Sequence, residues 1–292
     1  MKFEGIMPAL ITPLKEDETI NVTVLHSLIE YLLKNGADGF YVGGYTGEGL
    51  AIKTEERMVL TEESVKALKG KKPCIVQVAS TDFSDAVLLA KHAEKCGAAA
   101  VSATPPLYFQ YDEDDVYNYY KMLADSVHIP VMIYYNLAAG FHINADFAAK
   151  MFEVDNITAI KWTSSNYYEM MRLKDLTHGE MNVINGPDEM LLMGLNAGAD
   201  GGIGTTYNFI LDIIKSVYDN FVTGDIKTAQ QEQIRANRII SELLKYKVIP
   251  GTKVILEEMG FAVGNAAFPM KRYTREQKKQ IVEGIKRAGL EL

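Results

Sequence analysis

Two kinds of side chain in this 292-residue sequence could together carry out covalent chemistry on a ketone. Lys161 lies late in the apolar run 157–163, and two adjacent tyrosines, Tyr134 and Tyr135, lie near the end of the run 130–136. A lysine amine held away from water is uncharged more often and can attack a carbonyl. A phenol beside it can relay protons while a carbon–carbon bond breaks. Strand side chains alternate, so one tyrosine reaches the lysine and the other packs among helices.

A glycine-rich segment, GGYTGE at 43–48, follows another apolar run. Glycines let backbone N–H groups approach a ligand closely, and successive N–H groups form a concavity that suits a carboxylate. The segment lacks the Gly-Lys-Ser/Thr ending of a phosphate loop. A ligand-free turn between a strand and a helix explains the same glycines equally well, and a strand-end lysine that reaches solvent is the plain alternative for Lys161.

The elements that must position these residues form a repeating pattern. Continuous apolar runs, typical of strands buried on both faces of a parallel sheet, alternate with amphipathic helical segments. We therefore predict a (β/α)8 TIM barrel, in which the carboxyl ends of the strands meet at one mouth. An open doubly wound sheet is the alternative, but the first strand is not followed by Gly-x-Gly-x-x-Gly. The runs occupy residues 5–13, 39–44, 73–79, 98–104, 130–136, 157–163, 181–186 and 199–204.

Helix boundaries follow from capping residues and glycines. Asn21 is a predicted N-cap for a helix over 21–34, and the Thr54 hydroxyl is a predicted cap for the next helix. After Gly204 the chain becomes helical, with segments at 209–222, 226–246, 253–259 and 274–288. We assign 1–222 to the barrel and its active site, and 223–292 to a C-terminal helical extension. No Pro/Gly/Ser-rich linker separates the two, so we expect a single structural unit.

Composition excludes several classes of protein. The formal net charge of -8 gives no basic face for nucleic acid. Cys74 and Cys96 are not in a CxxC pair, and the five histidines form no ligand cluster, so we expect no disulfide framework and no metal site. The sequence shows neither a signal peptide nor an apolar stretch of membrane-spanning length. We expect a cytoplasmic protein that does not bind a membrane.

Five motifs occur in order: GGYTGE at 43–48, TPPLYF at 104–109, YYN at 134–136, IKWTS at 160–164 and GADGGIGTTYN at 198–208. Together they resemble the dihydrodipicolinate synthase / N-acetylneuraminate lyase superfamily of pyruvate aldolases, over nearly the whole chain. The resemblance implies that Lys161 forms the Schiff base, that Tyr135 is the catalytic phenol, and that Tyr45 and Thr46 bind the pyruvate carboxylate. It also implies that Tyr108 enters a neighbouring subunit to complete a hydroxyl relay with Thr46 and Tyr135, within a homotetramer built as a dimer of dimers.

The groups that face the rest of the substrate separate the branches of this superfamily. The synthases usually place an arginine soon after YN, whereas 137–141 here reads LAAGF. The chain is similar to the sialic acid lyases in KWT at 161–163 and NGPDE at 185–189, although Tyr45 stands where that branch has Ser or Thr. Adjacent carboxylates accept hydrogen bonds from a polyol, and they also suit the first turn of a helix. The resemblance implies that the hydroxyl-rich tail contacts Thr163, Gly186, Asp188, Glu189 and Thr206.

The resemblance thus implies a class I aldolase that cleaves N-acetylneuraminate to N-acetylmannosamine and pyruvate through Lys161. It implies no cofactor and no metal, because an iminium takes the place of a Lewis acid. The alternatives are an aldolase or dehydratase for another 2-keto-3-deoxy acid, a dihydrodipicolinate synthase-like enzyme, and a non-enzymatic keto acid sensor. The sensor would be expected to lack the lysine or the tyrosine, and both are present.

Overall fold

The computed structural model describes residues 2–292, apart from the side chain of Ala138. Within these residues, eight parallel strands alternate with helices, and further helices follow the last strand. The strands are β1 Gly5–Pro8, β2 Phe40–Val42, β3 Cys74–Gln77, β4 Ala100–Ala103, β5 Val131–Asn136, β6 Ile157–Thr163, β7 Asn182–Asn185 and β8 Gly201–Gly204. The helices are α1 Val22–Lys34, α2 Thr54–Leu68, α3 Phe83–Cys96, α4 Glu113–Asp125, α5 Ala145–Phe152, α6 Tyr167–Leu176, α7 Leu191–Asn196, α8 Leu211–Val222, α9 Ile226–Leu243, α10 Val248–Glu258 and α11 Arg275–Arg287.

The eight strands form one sheet that closes on itself. Its order is β1-β8-β7-β6-β5-β4-β3-β2, and the two ends of this order meet through a parallel bridge between Ala9 and Tyr41. The Leu10 N–H donates to the Tyr41 carbonyl at 2.8 Å across the same junction. The predicted TIM barrel is confirmed.

Alternation along each strand divides the apolar residues into two buried layers. Side chains of one parity fill the barrel interior, and those of the other parity pack between the sheet and the helices, so both faces are apolar. The helices cover the outer layer with their own apolar sides, and none of those within residues 2–292 has the length and apolar character to cross a membrane. The interior cluster contains Phe3, Met7, Ala9, Tyr41, Ile75, Ala100, Met132, Tyr134, Ala159, Ile184 and Ile203.

Local boundaries agree with the sequence in part. Asn21 caps α1, accepting from the Val24 N–H at 3.4 Å. The prediction for Thr54 was wrong: the N-cap of α2 is Lys53, without a side-chain cap, and the Thr54 hydroxyl donates to Asp85 at 3.0 Å. Most strands are shorter than their apolar runs: β1 ends at Pro8, and the rest of its run consists of an isolated bridge at Ala9 and residues 10–13 outside any strand.

The helices after α8 pack against the barrel and reach two of its loops. From α9, the Gln233 side chain donates to the Asp188 carbonyl at 3.2 Å and accepts from the Leu192 N–H at 3.0 Å. From α10, Lys253 forms an ion pair with Glu48 at 2.7 Å, and both side chains are shielded from solvent. These contacts connect the extension directly to the loops that follow β7 and β2.

The Glu48–Lys253 pair gives a test of this attachment. Burial lowers the pKa of Lys253, and Glu48 opposes the shift. Removing one member leaves the other charge buried and unpaired, so Lys253→Met should reduce the free energy of unfolding by about 3–5 kcal/mol. The Glu48→Gln/Lys253→Met double variant should lose less than Lys253→Met alone, as measured by thermal or urea unfolding.

Lys278→Met is the matched control, because it removes an ion pair with Glu257 that is largely solvent-exposed. It should change stability by no more than about 1 kcal/mol. Equal losses for Lys253→Met and Lys278→Met would contradict an anchoring role for the buried pair.

Candidate active site

Lys161 lies in β6 and points into the upper end of the barrel. Its side chain is nearly buried, at 5% exposure. The Nζ atom lies 4.4 Å from the centre of the Tyr134 ring and 4.7 Å from that of the Tyr41 ring. Both rings belong to the interior cluster, so Lys161 caps that cluster at the mouth. This is the position that a lysine needs to meet a ketone bound there.

The structure places Tyr134 beside Lys161, and not Tyr135 as the resemblance implied. Tyr134 pairs with Lys161 in the ladder between β5 and β6, whereas Tyr135 pairs with Trp162. Tyr135 packs in the outer layer at 4.9 Å from the Trp162 ring, and its hydroxyl lies 2.8 Å from Nδ1 of His142. The expectation that Tyr135 reaches the mouth is therefore corrected, and Tyr134 takes that position.

A bulge explains the correction. The ladder pairs Val131 with Ile157 and then Met132 with Ala159, so Thr158 is an extra residue in β6. If the register of the Val131–Ile157 pair continued without the bulge, Tyr135 would pair with Lys161. One extra residue exchanges the faces of all later pairs. A bulge of this kind leaves no mark in the pattern of apolar residues.

The glycine-rich segment 43–48 forms a tight turn beside the side chains of Lys161 and Tyr134. Gly43 has φ +69° and Glu48 has φ +58°, the left-handed region that glycine adopts easily and glutamate rarely. Within residues 2–292, no group accepts a hydrogen bond from the backbone N–H of Tyr45 or of Thr46. Two adjacent donors in a turn at the barrel mouth are suited to a carboxylate.

The turn and Tyr134 line a common cavity of about 370 Å³. The cavity walls are mainly apolar and include Leu107 as well as Ile249 from α10 and Met270 from the segment after it. The Thr104 hydroxyl is also in the wall, and it is buried without a hydrogen-bond partner among the described residues. The remaining lining residues are Gly43, Gly44, Tyr45, Glu48, Gly49, Leu50, Ala51, Gln77, Asn136 and Ala139.

The residues expected to bind the polyol tail lie across the mouth, around β6, β7 and β8. Asp188 accepts hydrogen bonds from the backbone N–H and the hydroxyl of Thr206, both at 2.7 Å. Gly186 lies against Thr163, since a Cβ on Gly186 would collide with the Thr163 hydroxyl. That hydroxyl is buried and has no partner among the described residues. Glu189 is exposed, and its carbonyl accepts from Asn237 of α9 at 3.0 Å.

The other residues implied by the resemblance are divided between loop contacts and solvent. The hydroxyls of Thr46 and Thr205 form a 2.6 Å hydrogen bond, which connects the loops after β2 and β8. Tyr45 is 65% exposed at the rim of the cavity, and Tyr108 is 90% exposed, with φ +84°. Within one chain, Tyr108 does not line the cavity.

Several contributing residues were missed by the sequence analysis. Tyr41 is in the apolar run 39–44, and strand alternation would have placed it inside the barrel. Thr205 lies in the motif GADGGIGTTYN, but neither its partner nor that of Lys253 could be found from the sequence, because Thr46 and Glu48 are more than 150 residues away along the chain. No group of three or more His, Cys, Asp or Glu residues that could hold a metal ion occurs in the part of the chain that the structure describes.

This geometry agrees with the relatives of the chain. A family model described as the dihydrodipicolinate synthetase family matches residues 2–288. The chain belongs to this family. The N-acetylneuraminate lyase of Rhizobium meliloti (strain 1021) is 36% identical over 285 residues, covering 98% of this chain and 95% of that protein.

Solved structures of the dihydrodipicolinate synthetase family agree with the fold. The N-acetylneuraminate lyase of Proteus mirabilis has a TM-score of 0.95 at 28% identity, with full coverage of both chains. The dihydrodipicolinate synthase DapA-2 of Bacillus anthracis has a TM-score of 0.92 at 26% identity, covering 98% of each chain. The chain is an enzyme similar to the carbon–carbon lyases of this family, and overall shape alone does not distinguish the lyases from the synthases.

The buried carboxyl of Asp188 should give the site a pH dependence. Burial raises the pKa of Asp188 from 3.8 to about 6, while the hydrogen bonds from Thr206 oppose the shift. The folded chain then holds the proton more tightly than the unfolded chain, so this contribution to stability is complete below pH 3.8 and is lost as the pH rises through about 6. Relative to wild type, Asp188→Asn should gain on the order of 3 kcal/mol between pH 4 and pH 8.

Unfolding curves of wild type and variant across this pH range measure the difference. Asp225→Asn is the control, because hydrogen bonds from Thr228 lower the pKa of that exposed carboxyl, so it titrates below the range. Its difference from wild type should stay constant from pH 4 to pH 8. A constant difference for Asp188→Asn as well would show that folding does not raise the pKa of Asp188.

Proposed function

We propose that this enzyme is a Schiff-base aldolase that cleaves N-acetylneuraminate to N-acetylmannosamine and pyruvate. The observation that carries the proposal is the position of Lys161, nearly buried at the barrel mouth between two tyrosine rings and next to a turn with two available N–H donors. The named lyase relatives, with 36% identity over almost the whole chain in one case, support the choice of substrate.

The reaction begins with the attack of the Lys161 amine on the C2 ketone of the open-chain sugar acid. Loss of water gives an iminium, which accepts electrons when the C4 hydroxyl gives up its proton and the bond between C3 and C4 breaks. The products at this stage are N-acetylmannosamine, as the aldehyde, and an enamine of pyruvate on Lys161. Protonation at C3 and hydrolysis by water release pyruvate and return the amine.

Tyr134 is the phenol that serves these proton transfers. Its ring lies 4.4 Å from Nζ of Lys161, and its hydroxyl accepts from Nδ2 of Asn136 at 3.4 Å. The N–H groups of Tyr45 and Thr46 hold the substrate carboxylate, which places the ketone above the lysine. A hydroxyl group at this point can pass protons to and from the oxygens at C2 and C4.

The side of the mouth formed by β6, β7 and β8 binds the hydroxyl-rich tail. The Thr163 hydroxyl, the backbone at Gly186 and the Asp188 carboxylate lie together there, with Glu189 at the exposed end. Thr206 acts on this surface through Asp188, because its hydroxyl already donates to that carboxylate.

We further propose that the active unit is a homotetramer, arranged as a dimer of dimers, in which Tyr108 reaches the site of a neighbouring subunit. The exposed Tyr108 ring packs edge-on against Phe109, which is also exposed, at 5.1 Å between ring centres. Two large aromatic side chains projecting together from one loop are typical of an interface.

One experiment tests the reaction as a whole. The enzyme is incubated with pyruvate and borohydride, the modified residue is mapped by mass spectrometry, and pyruvate release from N-acetylneuraminate is followed separately. We expect an adduct on Lys161 and release of pyruvate, and both should disappear in Lys161→Ala. Lys150→Ala, at an exposed lysine, should retain both.

The outcomes separate the candidate functions. An adduct without release of pyruvate from N-acetylneuraminate would favour an aldolase or dehydratase for another 2-keto-3-deoxy acid, or a dihydrodipicolinate synthase-like enzyme. The similarity to the B. anthracis synthase structure supports the last of these as the second candidate. Turnover that survives Lys161→Ala would contradict a Schiff-base mechanism through Lys161.

The two adjacent tyrosines provide a matched pair of variants. Tyr134→Phe removes the hydroxyl beside Lys161 and should lower kcat by about a hundredfold or more. Tyr135→Phe removes a hydroxyl that contacts His142 in the outer layer and should leave kcat within about a fewfold of wild type, since it does not reach the mouth. Steady-state rates of pyruvate release measure both, and a larger loss for Tyr135→Phe would restore Tyr135 as the catalytic phenol.

A further inference from the structure

The Lys161 amine lies against two aromatic faces and has no acidic partner. Its Nζ is 4.7 Å from the Tyr41 ring centre and 4.4 Å from the Tyr134 ring centre, and the two rings meet edge-on at 5.7 Å. Among residues 2–292, none of the ion pairs within 4.0 Å includes this amine. A positive charge in so dry a place needs stabilisation from another source.

We propose that Tyr41 is a further functional residue of this site, whose ring face stabilises the positive charge on the Lys161 nitrogen, above all in the protonated imine formed with substrate. The inference rests on the proposed Schiff-base function and adds to it the group that keeps the imine charged. An aromatic face attracts a cation within about 6 Å of the ring centre, and it does so more strongly where water is excluded.

The hydroxyl of Tyr41 is not available for proton transfer to the substrate. It donates to the Ser102 hydroxyl at 3.0 Å within the barrel interior. Burial raises the pKa of the Tyr41 phenol well above its ordinary value, so the group stays neutral. What Tyr41 presents to Lys161 is therefore the ring face, which distinguishes its role from that of Tyr134.

The acidic groups nearest to Lys161 are engaged elsewhere, so stabilisation of its positive charge is left to the rings of Tyr41 and Tyr134. Asp188, after β7, is close enough for the charge of Lys161 to lower its pKa slightly, but one carboxylate oxygen is held by two hydrogen bonds from Thr206. Glu48, after β2, is paired with Lys253.

The remaining charge near Tyr41 has the wrong sign to serve as a counterion. Arg57 of α2 is buried behind β3, where its guanidinium donates to the carbonyls of Gln77 and Ala79, both at 2.9 Å. A positively charged guanidinium cannot balance the charge of a protonated imine on Lys161, so Arg57 is not the counterion.

The chemical consequence concerns the step that breaks the carbon–carbon bond. The protonated imine is the effective acceptor of the electron pair released from that bond, because it becomes a neutral enamine, whereas a neutral imine would become a high-energy nitrogen anion. Loss of the Tyr41 ring should make the imine lose its proton at lower pH, and the enzyme should then fail first under alkaline conditions.

The test measures trapping of the pyruvate adduct by cyanoborohydride, which reduces the protonated imine, as a function of pH at saturating pyruvate. In Tyr41→Leu the alkaline limb of the trapping rate should move to lower pH by about one unit, equal to about a tenfold change. In Tyr41→Phe, which keeps the ring, the limb should stay where wild type has it. Lowering the pH should restore trapping in Tyr41→Leu. It would not restore trapping if the substitution had merely misfolded the site.

A second substitution avoids the cavity that leucine leaves. Trifluorophenylalanine at position 41 keeps the shape of phenylalanine while removing electron density from the ring face, so it should shift the limb as Tyr41→Leu does. The inference would be overturned if the alkaline limb stayed in place in both Tyr41→Leu and the trifluorophenylalanine variant. It would also be overturned if Tyr41→Phe shifted the limb as far as Tyr41→Leu does. If wild type forms no adduct, the Schiff-base function itself fails; an adduct with unmoved limbs rejects only the role of Tyr41.

Discussion

The register between β5 and β6 determines which side chains can take part in chemistry. Lys161 pairs with Tyr134, and the next pair, Tyr135 with Trp162, faces the helices. The extra residue Thr158 sets this parity before the active pair is reached. A single-residue change in register would exchange the mouth and the outer layer for all of these side chains. The proposed reaction therefore depends on the backbone geometry at Thr158, three residues before Lys161 in the same strand.

Much of the fold could be predicted from the sequence, because it depends on local patterns. Apolar runs of strand length, glycines where helices stop, and the Asn21 cap follow from rules that act over a few residues. Closure of eight such units into a barrel then follows from their number and order. The Thr54 cap was wrong because a contact with Asp85, 31 residues away, took the hydroxyl instead.

The site was less predictable, because its decisive contacts join distant parts of the chain. The position of Lys161 followed from its place late in a strand, whereas the choice between Tyr134 and Tyr135 required the bulge. The Thr46–Thr205 hydrogen bond and the Glu48–Lys253 ion pair exist only once the barrel has closed. The resemblance to known aldolases supplied the chemistry of the motif YYN, but not the direction in which each tyrosine points.

The extension after α8 holds both sides of the mouth from outside the barrel. Gln233 and Asn237 of α9 bind the backbone of Asp188 and Glu189, and Lys253 of α10 neutralises Glu48 in the opposite turn. Substitutions in α9 and in the largely buried α10 therefore act on the loops at both sides of the mouth, while the strands and Lys161 keep their positions. In the proposed aldolase, the fit of the substrate and the covalent step would then depend on different parts of one chain.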